Sequence, residues 1–138
     1  MNISQETDYA LRSLRAMYFH GPEHKLEAKA IAEKEKIPLR FLFKILRKLC
    51  ASRIVVSYRG INGGYKLNKP LSDITLKELI ETIEGPIHIN RCTKDNKSCE
   101  LCARGCELYH EMLEVEREIH SVLERRSLED ILLKRFKN

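Results

Sequence analysis

Four of the five cysteines fall within 15 residues, in the pattern Cys92-x6-Cys99-x2-Cys102-x3-Cys106, while Cys50 stands alone. Thiolates are soft ligands that select zinc, copper(I) or iron-sulfur clusters, so in a reducing compartment such a run points to metal or redox chemistry rather than a disulfide framework. Three readings fit the spacing. A structural zinc wants four ligands, and Cys99-x2-Cys102 offers a chelating pair, although Cys92-x6-Cys99 is wide for a zinc knuckle. An iron-sulfur cluster wants three or four thiolates on a loop shielded from bulk water. A thiol switch needs only two cysteines close in space. Cys106 falls at the start of a predicted long helix, where backbone N–H groups and the helix dipole lower a thiol pKa. His88 and His110 are nearby imidazoles, and His110 shares the helix face of Cys106. Cys50, on the apolar side of its predicted helix, reads as core.

A second chemistry is carried by charge. The 138 residues have 25 Lys+Arg against 20 Asp+Glu, a net +5 that by itself identifies no partner. Between Lys36 and Ser72, however, there are nine basic side chains (Lys36, Arg40, Lys44, Arg47, Lys48, Arg53, Arg59, Lys66, Lys69) and no acidic one, which leaves −4 for the remainder. A cationic segment inside an acidic body is the electrostatic footprint of a nucleic-acid binder. Steep salt dependence would follow from phosphate contacts.

The elements that must position these groups are legible from periodicity and breakers. A first helix is predicted over about 4–19, with Ala10, Leu11, Leu14, Met17 and Tyr18 on one face, ended by Gly21-Pro22. A second spans about 26–36. A third spans about 38–52, with Pro38 in its first turn, Phe41, Leu42, Ile45, Leu46 and Leu49 facing inward and Arg40, Lys44, Arg47 and Lys48 outward. The short turn between the two is that of a helix-turn-helix. The β-branched run Ile54–Tyr58, the glycines of 60–64 and the return Tyr65–Leu67 make a hairpin, and helix-turn-helix plus hairpin is a winged helix. Thr75 to Glu78 reads as a capping box for a helix to about residue 84. Residues 86–105 are expected to be loop. From Cys106 a long helix carries Leu108, Met112, Val115, Ile119 and Val122 in a heptad seam, the mark of pairing with another helix. Ser127 and Asp130 cap a last short helix carrying Leu128, Ile131, Leu132 and Phe136. The expected fold class is mainly α with a small β-hairpin. Its expected division is 1–85 for a winged helix-turn-helix DNA-binding domain, 86–105 for a cysteine-rich loop, and 106–138 for a dimerisation helix and C-terminal helix.

The segments Pro38–Leu49 and Val56–Leu67 closely resemble the winged-helix iron-sulfur transcriptional regulators of bacteria, the IscR/NsrR type, and the resemblance runs from Met1 to about Leu132. It is most specific in the Arg-Gly-x-x-Gly-Gly-Tyr wing and in the cysteine loop. The resemblance implies a homodimer built on the long helix, binding a partly palindromic double-stranded DNA operator through two winged helices. Arg40, Phe43, Lys44, Arg47 and Lys48 of the third helix and Ser57, Arg59, Gly60 and Asn62 of the wing are the candidate DNA contacts. It also implies an iron-sulfur cluster, with [4Fe-4S] favoured over [2Fe-2S], held by Cys92, Cys99 and Cys106 and a fourth ligand that is not a cysteine. In NsrR-like members that ligand is an aspartate on the first helix of the other subunit, within a Thr-Asp-x-x-Leu-Arg motif that Thr7 to Arg12 matches. Asp8 of the partner subunit is therefore the candidate, with Arg12 as a neighbour balancing the cluster's negative charge. The gaps between Cys92, Cys99 and Cys106 are each one residue wider than is usual in the family, which leaves Cys102 as an alternative ligand. The histidine of the IscR branch is replaced by Tyr109, with His110 one position on, and Phe43 stands where that branch has a specificity-setting glutamate.

The expected function is a DNA-binding transcriptional regulator whose operator affinity is set by a cluster responding to nitric oxide, redox state or iron-sulfur status. The alternative is a repressor of the same fold stabilised by zinc or sensing thiol redox state without a cluster. An electron carrier docking through the basic segment fits poorly with an acid-free recognition helix and a Gly-Gly wing. With no nucleophile motif, Gly-rich phosphate loop or paired carboxylates on one face, the chain is not expected to be an enzyme. No apolar run reaches the roughly 18 residues of a membrane span. The N-terminus lacks the apolar stretch of a signal peptide, so no membrane contact and a cytoplasmic location are expected.

Overall fold

The structure, a computed structural model, describes residues 2–134; Phe136 lies outside them. Helix α1 (Gln5–His20) begins at Ser4, whose side chain accepts from the Thr7 N–H, and ends at Gly21 with φ 118°. Its buried side, Thr7, Ala10, Ser13, Leu14, Ala16 and Met17, packs against α2 (Ala28–Glu35), α3 (Leu39–Ala51) and α4 (Leu76–Glu84). Between α2 and α3 the chain turns at Lys36, which adopts the left-handed conformation at φ 55°, ψ 48°, before Pro38 opens α3. The hairpin follows. Strands β1 (Val55–Tyr58) and β2 (Gly64–Leu67) pair antiparallel, with Val55 opposite Leu67 and Tyr58 opposite Gly64. The mainly α winged helix expected from the sequence is therefore present.

A third, one-residue strand completes the wing. Leu26 N–H donates to the Tyr65 carbonyl at 2.8 Å, and the Leu26 carbonyl accepts from Tyr65 N–H at 2.9 Å. This close approach explains Gly64: at φ +150° a Cβ there would meet the Leu26 carbonyl oxygen at 3.0 Å.

The expected box at α4 is half formed. Thr75 accepts from Glu78 N–H at 3.0 Å, but the Glu78 carboxylate turns to Lys69 Nζ at 2.6 Å. Residues 86–105 are not structureless. They contain a short helix α5 (Arg91–Lys94), opened by an Asn90–Thr93 capping box, and two 3-10 turns, Asn96–Ser98 and Cys102–Arg104. Helix α6 (Glu107–Arg125) packs on α4 and α5, and its one buried residue among those described is Glu116. The seam Leu108, Val115 and Val122 faces outward, exposed. Helix α7 (Leu128–Leu133) folds back onto the winged-helix body. Leu128 N–H donates to the Ile74 carbonyl and Leu76 N–H to the Arg126 carbonyl, both at 2.8 Å, and Leu128 is fully buried.

Candidate functional site

Two chemically distinct regions are present, one on α3 and the wing and one on the segment from α5 to the start of α6. On the α3 face, Leu42, Ile45, Leu46 and Leu49 are buried, so Arg40, Phe43, Lys44 and Arg47 project outward. Phe41, expected inside, is instead 39% exposed, with the Arg40 guanidinium 4.8 Å from its ring centroid. It follows Pro38 by one turn, at the solvent edge of the apolar stripe, and the arginine covers its ring. In the wing, Ser57, Arg59, Gly60 and Asn62 are exposed. Ser57 also hydrogen-bonds Cys50, whose thiol is pushed up by burial in spite of that bond. Cys50 packs half-buried against the core, as its position on α3 predicts.

The acid-free segment is not free of acids in space. Glu6 of α1 meets Lys44 Nζ at 2.8 Å and Lys48 Nζ at 3.3 Å, and Lys48 also donates to the Ile83 carbonyl at 2.8 Å. The Lys44 hydrogen bond, helped by Lys48, holds the Glu6 carboxyl below its usual value against a smaller effect of burial. Lys69 is taken by Glu78. Three of the nine cations are thus paired within the fold. Among the described residues, Lys36, Arg40, Arg47, Arg53, Arg59 and Lys66 make no ion pair with a carboxylate.

The second region begins at α5. Cys92, Cys99, Cys102 and Cys106 are unbridged and half-buried, with Cys106 at the N-terminal cap of α6. The Cys102 thiol is pushed up to about 11 by burial, by its hydrogen bond with Cys99 and by the fields of Cys99, Cys92 and Cys106. Cys99 moves the other way, lowered by hydrogen bonds from the Cys102 and Leu101 backbone and from the Cys102 side chain. The four thiols therefore feel one another, yet among the described residues no three His, Cys, Asp or Glu side chains converge as a metal site. Cys92 and Cys99 line one open concavity with Asn90, Arg91, Ser98 and Glu100. Asp8 is on the exposed side of α1, paired with Arg12 Nε at 3.2 Å, while Arg12 Nη1 donates to the Glu35 carbonyl at 2.7 Å. His110 is exposed beside the Tyr109 ring, 5.4 Å between centroids.

What the spacing did not reveal is the latch under the cysteines. Glu116, 7% exposed, accepts from Ile89 N–H at 3.2 Å and pairs with His88 Nδ1 at 3.2 Å, with His120 Nε2 3.8 Å away. Burial raises its carboxyl, but Thr93, Ile89 and His88 together outweigh that and leave it below its usual value. Its one legible signal is Glu116 and His120 a turn apart on α6; His88 lies 28 residues away.

The family model for Rrf2, described as an iron-dependent transcriptional regulator, matches residues 3–134. The HTH-type transcriptional regulator NsrR of Oceanobacillus iheyensis is 33% identical over 132 residues, covering 96% of this chain and 90% of that protein. NsrR of Bacillus subtilis is 29% identical over 132 residues, with the same coverage. Among solved structures, CymR, the global cysteine regulator of B. subtilis, superposes with a TM-score of 0.72 at 26% identity over 96% of both chains. IscR of T. potens shares the fold, with a TM-score of 0.68 at 23% identity over 96% of this chain and 86% of that one. No helix among the described residues is long and apolar enough to cross a membrane. Proteins of this family regulate transcription and are not enzymes. A winged helix with an exposed cationic reading face, a cysteine-bearing segment between α4 and α6 and a match across nearly the whole length lead to one conclusion: the chain belongs to the Rrf2 family of transcriptional regulators.

Proposed function

We propose that this regulator binds a two-half-site DNA operator as a homodimer and that an iron-sulfur cluster at the cysteine segment sets its affinity. The observation that carries the reading is four unbridged, half-buried thiols on one short segment running from α5 to the cap of α6. Placing several thiolates together is unfavourable unless a cation compensates them, so the donor set suits a soft metal centre. Cys92, Cys99 and Cys106 are the proposed ligands, with Cys102 as the alternative and Asp8 of the partner subunit as the fourth. When bound, a cluster supplies a centre that reacts with nitric oxide or oxidants and exchanges with the iron supply. The chain's own residues do the rest. Glu116 holds the root of α5 against α6, so a change at Cys92 is transmitted to the helix that joins the subunits. Arg12 places a cation beside Asp8. The seam Leu108, Met112, Val115, Ile119 and Val122 forms the dimer contact, and Arg40, Phe43, Arg47, Arg59 and the wing meet the duplex. Lys44 and Lys48 contribute once DNA competes with Glu6.

The test is anaerobic purification followed by iron, sulfide and zinc analysis, absorption spectroscopy and DNA binding before and after nitric oxide. Iron and sulfide in stoichiometric amounts, a visible absorption band lost on nitric oxide treatment and a matching change in DNA affinity are expected. Zinc without iron or sulfide overturns the cluster.

A second reading rests on the hydrogen-bonded Cys99–Cys102 pair and on the similarity to CymR. Here hydrogen peroxide takes two electrons and two protons from the two thiols, forming one disulfide and two waters, and the bridge reshapes the segment before α6. Protein that lacks iron, sulfide and zinc but changes DNA affinity reversibly with peroxide and dithiol reductant would select this reading.

A further inference from the structure

Beyond the α3 face and the wing turn, the paired strands of the wing carry a cationic group of their own. Lys25 precedes α2 and lies outside the basic segment, far in sequence from the hairpin. The paired Leu26–Tyr65 backbone bonds bring it there, because they fix its neighbour as an edge strand of the wing. Lys25 Nζ then sits 4.2 Å from the centroid of the Tyr58 ring, and Lys66 Nζ sits 5.5 Å from the same centroid. The ring is 37% exposed, Lys25 is exposed and Lys66 half-exposed. Tyr58 is followed directly by Arg59 and the wing turn.

Two ammonium groups held around one aromatic ring repel each other, and the ring quadrupole offsets only part of that repulsion. Elsewhere the fold neutralises such cations, with Glu6 for Lys44 and Lys48 and Glu78 for Lys69. Here, among the described residues, neither lysine has a carboxylate within ion-pair distance, although the exposed Glu23 and Glu27 flank Lys25 in sequence. Both cations are held at one ring, that of the residue preceding Arg59, and are left for an external anion. We infer that Lys25, Tyr58 and Lys66 form a clamp for the phosphate backbone of duplex DNA on the strands of the wing. The clamp rests on the DNA-binding reading. It contributes affinity and register, not base recognition, because ammonium groups on phosphates carry no sequence information.

The test uses the full-length protein and a duplex of random sequence, with binding followed by fluorescence anisotropy across a salt series. Each phosphate contact removed makes the slope of log K against log salt shallower by about 0.9. Lys25→Ala and Lys66→Ala should each shift the slope by about that amount, and the double variant by about 1.8. Sequence preference in a selection from a randomised duplex pool should stay the same. Tyr58→Phe, which keeps the ring, should leave the slope as in the parent. Thermal melts of each variant confirm folding, and Lys66→Gln provides a milder substitution should Lys66→Ala fail to fold. Arg59→Ala separates the outcomes. If it lowers the slope while the double lysine variant does not, the clamp is overturned and DNA binding stands. If the parent protein binds no duplex at low salt, the DNA-binding reading itself fails. Slope loss in the lysine variants accompanied by altered sequence preference would also overturn the clamp.

Discussion

Burying a carboxylate is unfavourable unless hydrogen bonds replace its water, and Glu116 meets that condition through Ile89 N–H, His88 and Thr93. Glu116→Ala leaves the partly buried Ile89 N–H and His88 without their acceptor, so a loss of about 1 kcal/mol is expected in thermal or denaturant unfolding. The same variant frees the root of α5, and Cys92 should alkylate faster, as read by mass spectrometry of labelled peptides. The folded-state pKa of Glu116 lies below its ordinary value of 4.5. Its contribution to stability is therefore fully present above that value and is lost as the pH falls through the lowered folded-state pKa. Glu116→Gln should remove this part of the acid dependence. Glu6 makes a different prediction. It occupies Lys44 and Lys48, so in the proposed DNA-binding mode Glu6→Gln should tighten binding to random duplex and steepen the salt slope by about 0.9 for each lysine that gains a phosphate.

The wing shows how a backbone position, rather than a side-chain contact, can hold an element in place. At Gly64 an added Cβ would lie 3.0 Å from the Leu26 carbonyl oxygen with φ at +150°, whereas at Gly60, with φ +101°, it would have nothing within 4 Å. Gly64→Ala should therefore destabilise the protein by roughly 1–3 kcal/mol and detach Leu26, and Lys25 with it, from the hairpin. Gly60→Ala meets only the conformational strain. Comparing the two by melting temperature and by backbone amide exchange at Tyr65 checks the argument: slow exchange should survive in the Gly60 variant and be lost in the Gly64 variant. The α4 start carries a related lesson. Thr75 supplies its half of the cap, but Glu78 is worth more to Lys69 at 2.6 Å than to the backbone N–H behind it.

Across the molecule, α6 stands against α4 and α5 on one side and shows Leu108, Val115 and Val122 to solvent on the other. Exposed apolar residues at heptad spacing are stable when a second helix covers them. For the proposed dimer, Val115→Glu and Val122→Glu should give monomer in analytical ultracentrifugation, with the melting of the winged-helix body little changed. That body has its own core, including α7, whose Leu128 and Leu133 are buried against it. A parent protein that sediments as a monomer would remove the dimer from the proposed function.

The reading elements are legible in the sequence because local periodicity suffices for them. Leu42, Ile45, Leu46 and Leu49 recur at helical spacing and are buried, the Gly-Gly turn returns the hairpin, and Ser127 with Asp130 closes the predicted cap. The cysteine spacing likewise identifies the segment that carries the thiols. Periodicity misplaces Phe41 because a stripe's edge is set by the neighbouring helices, not by its period. It misses the helix inside 86–105 because Asn90 and Thr93 cap a segment with no apolar repeat. Sequence alone determined the fold class, the cationic face of α3 and the gathering of four thiols in one segment, since each depends on residue type and short-range spacing. Tertiary structure decided which cations remain available, which carboxylate anchors the cysteine segment and which lysine joins the wing, because Glu6–Lys44, His88–Glu116 and Lys25–Tyr58 are meetings of side chains 28 or more residues apart.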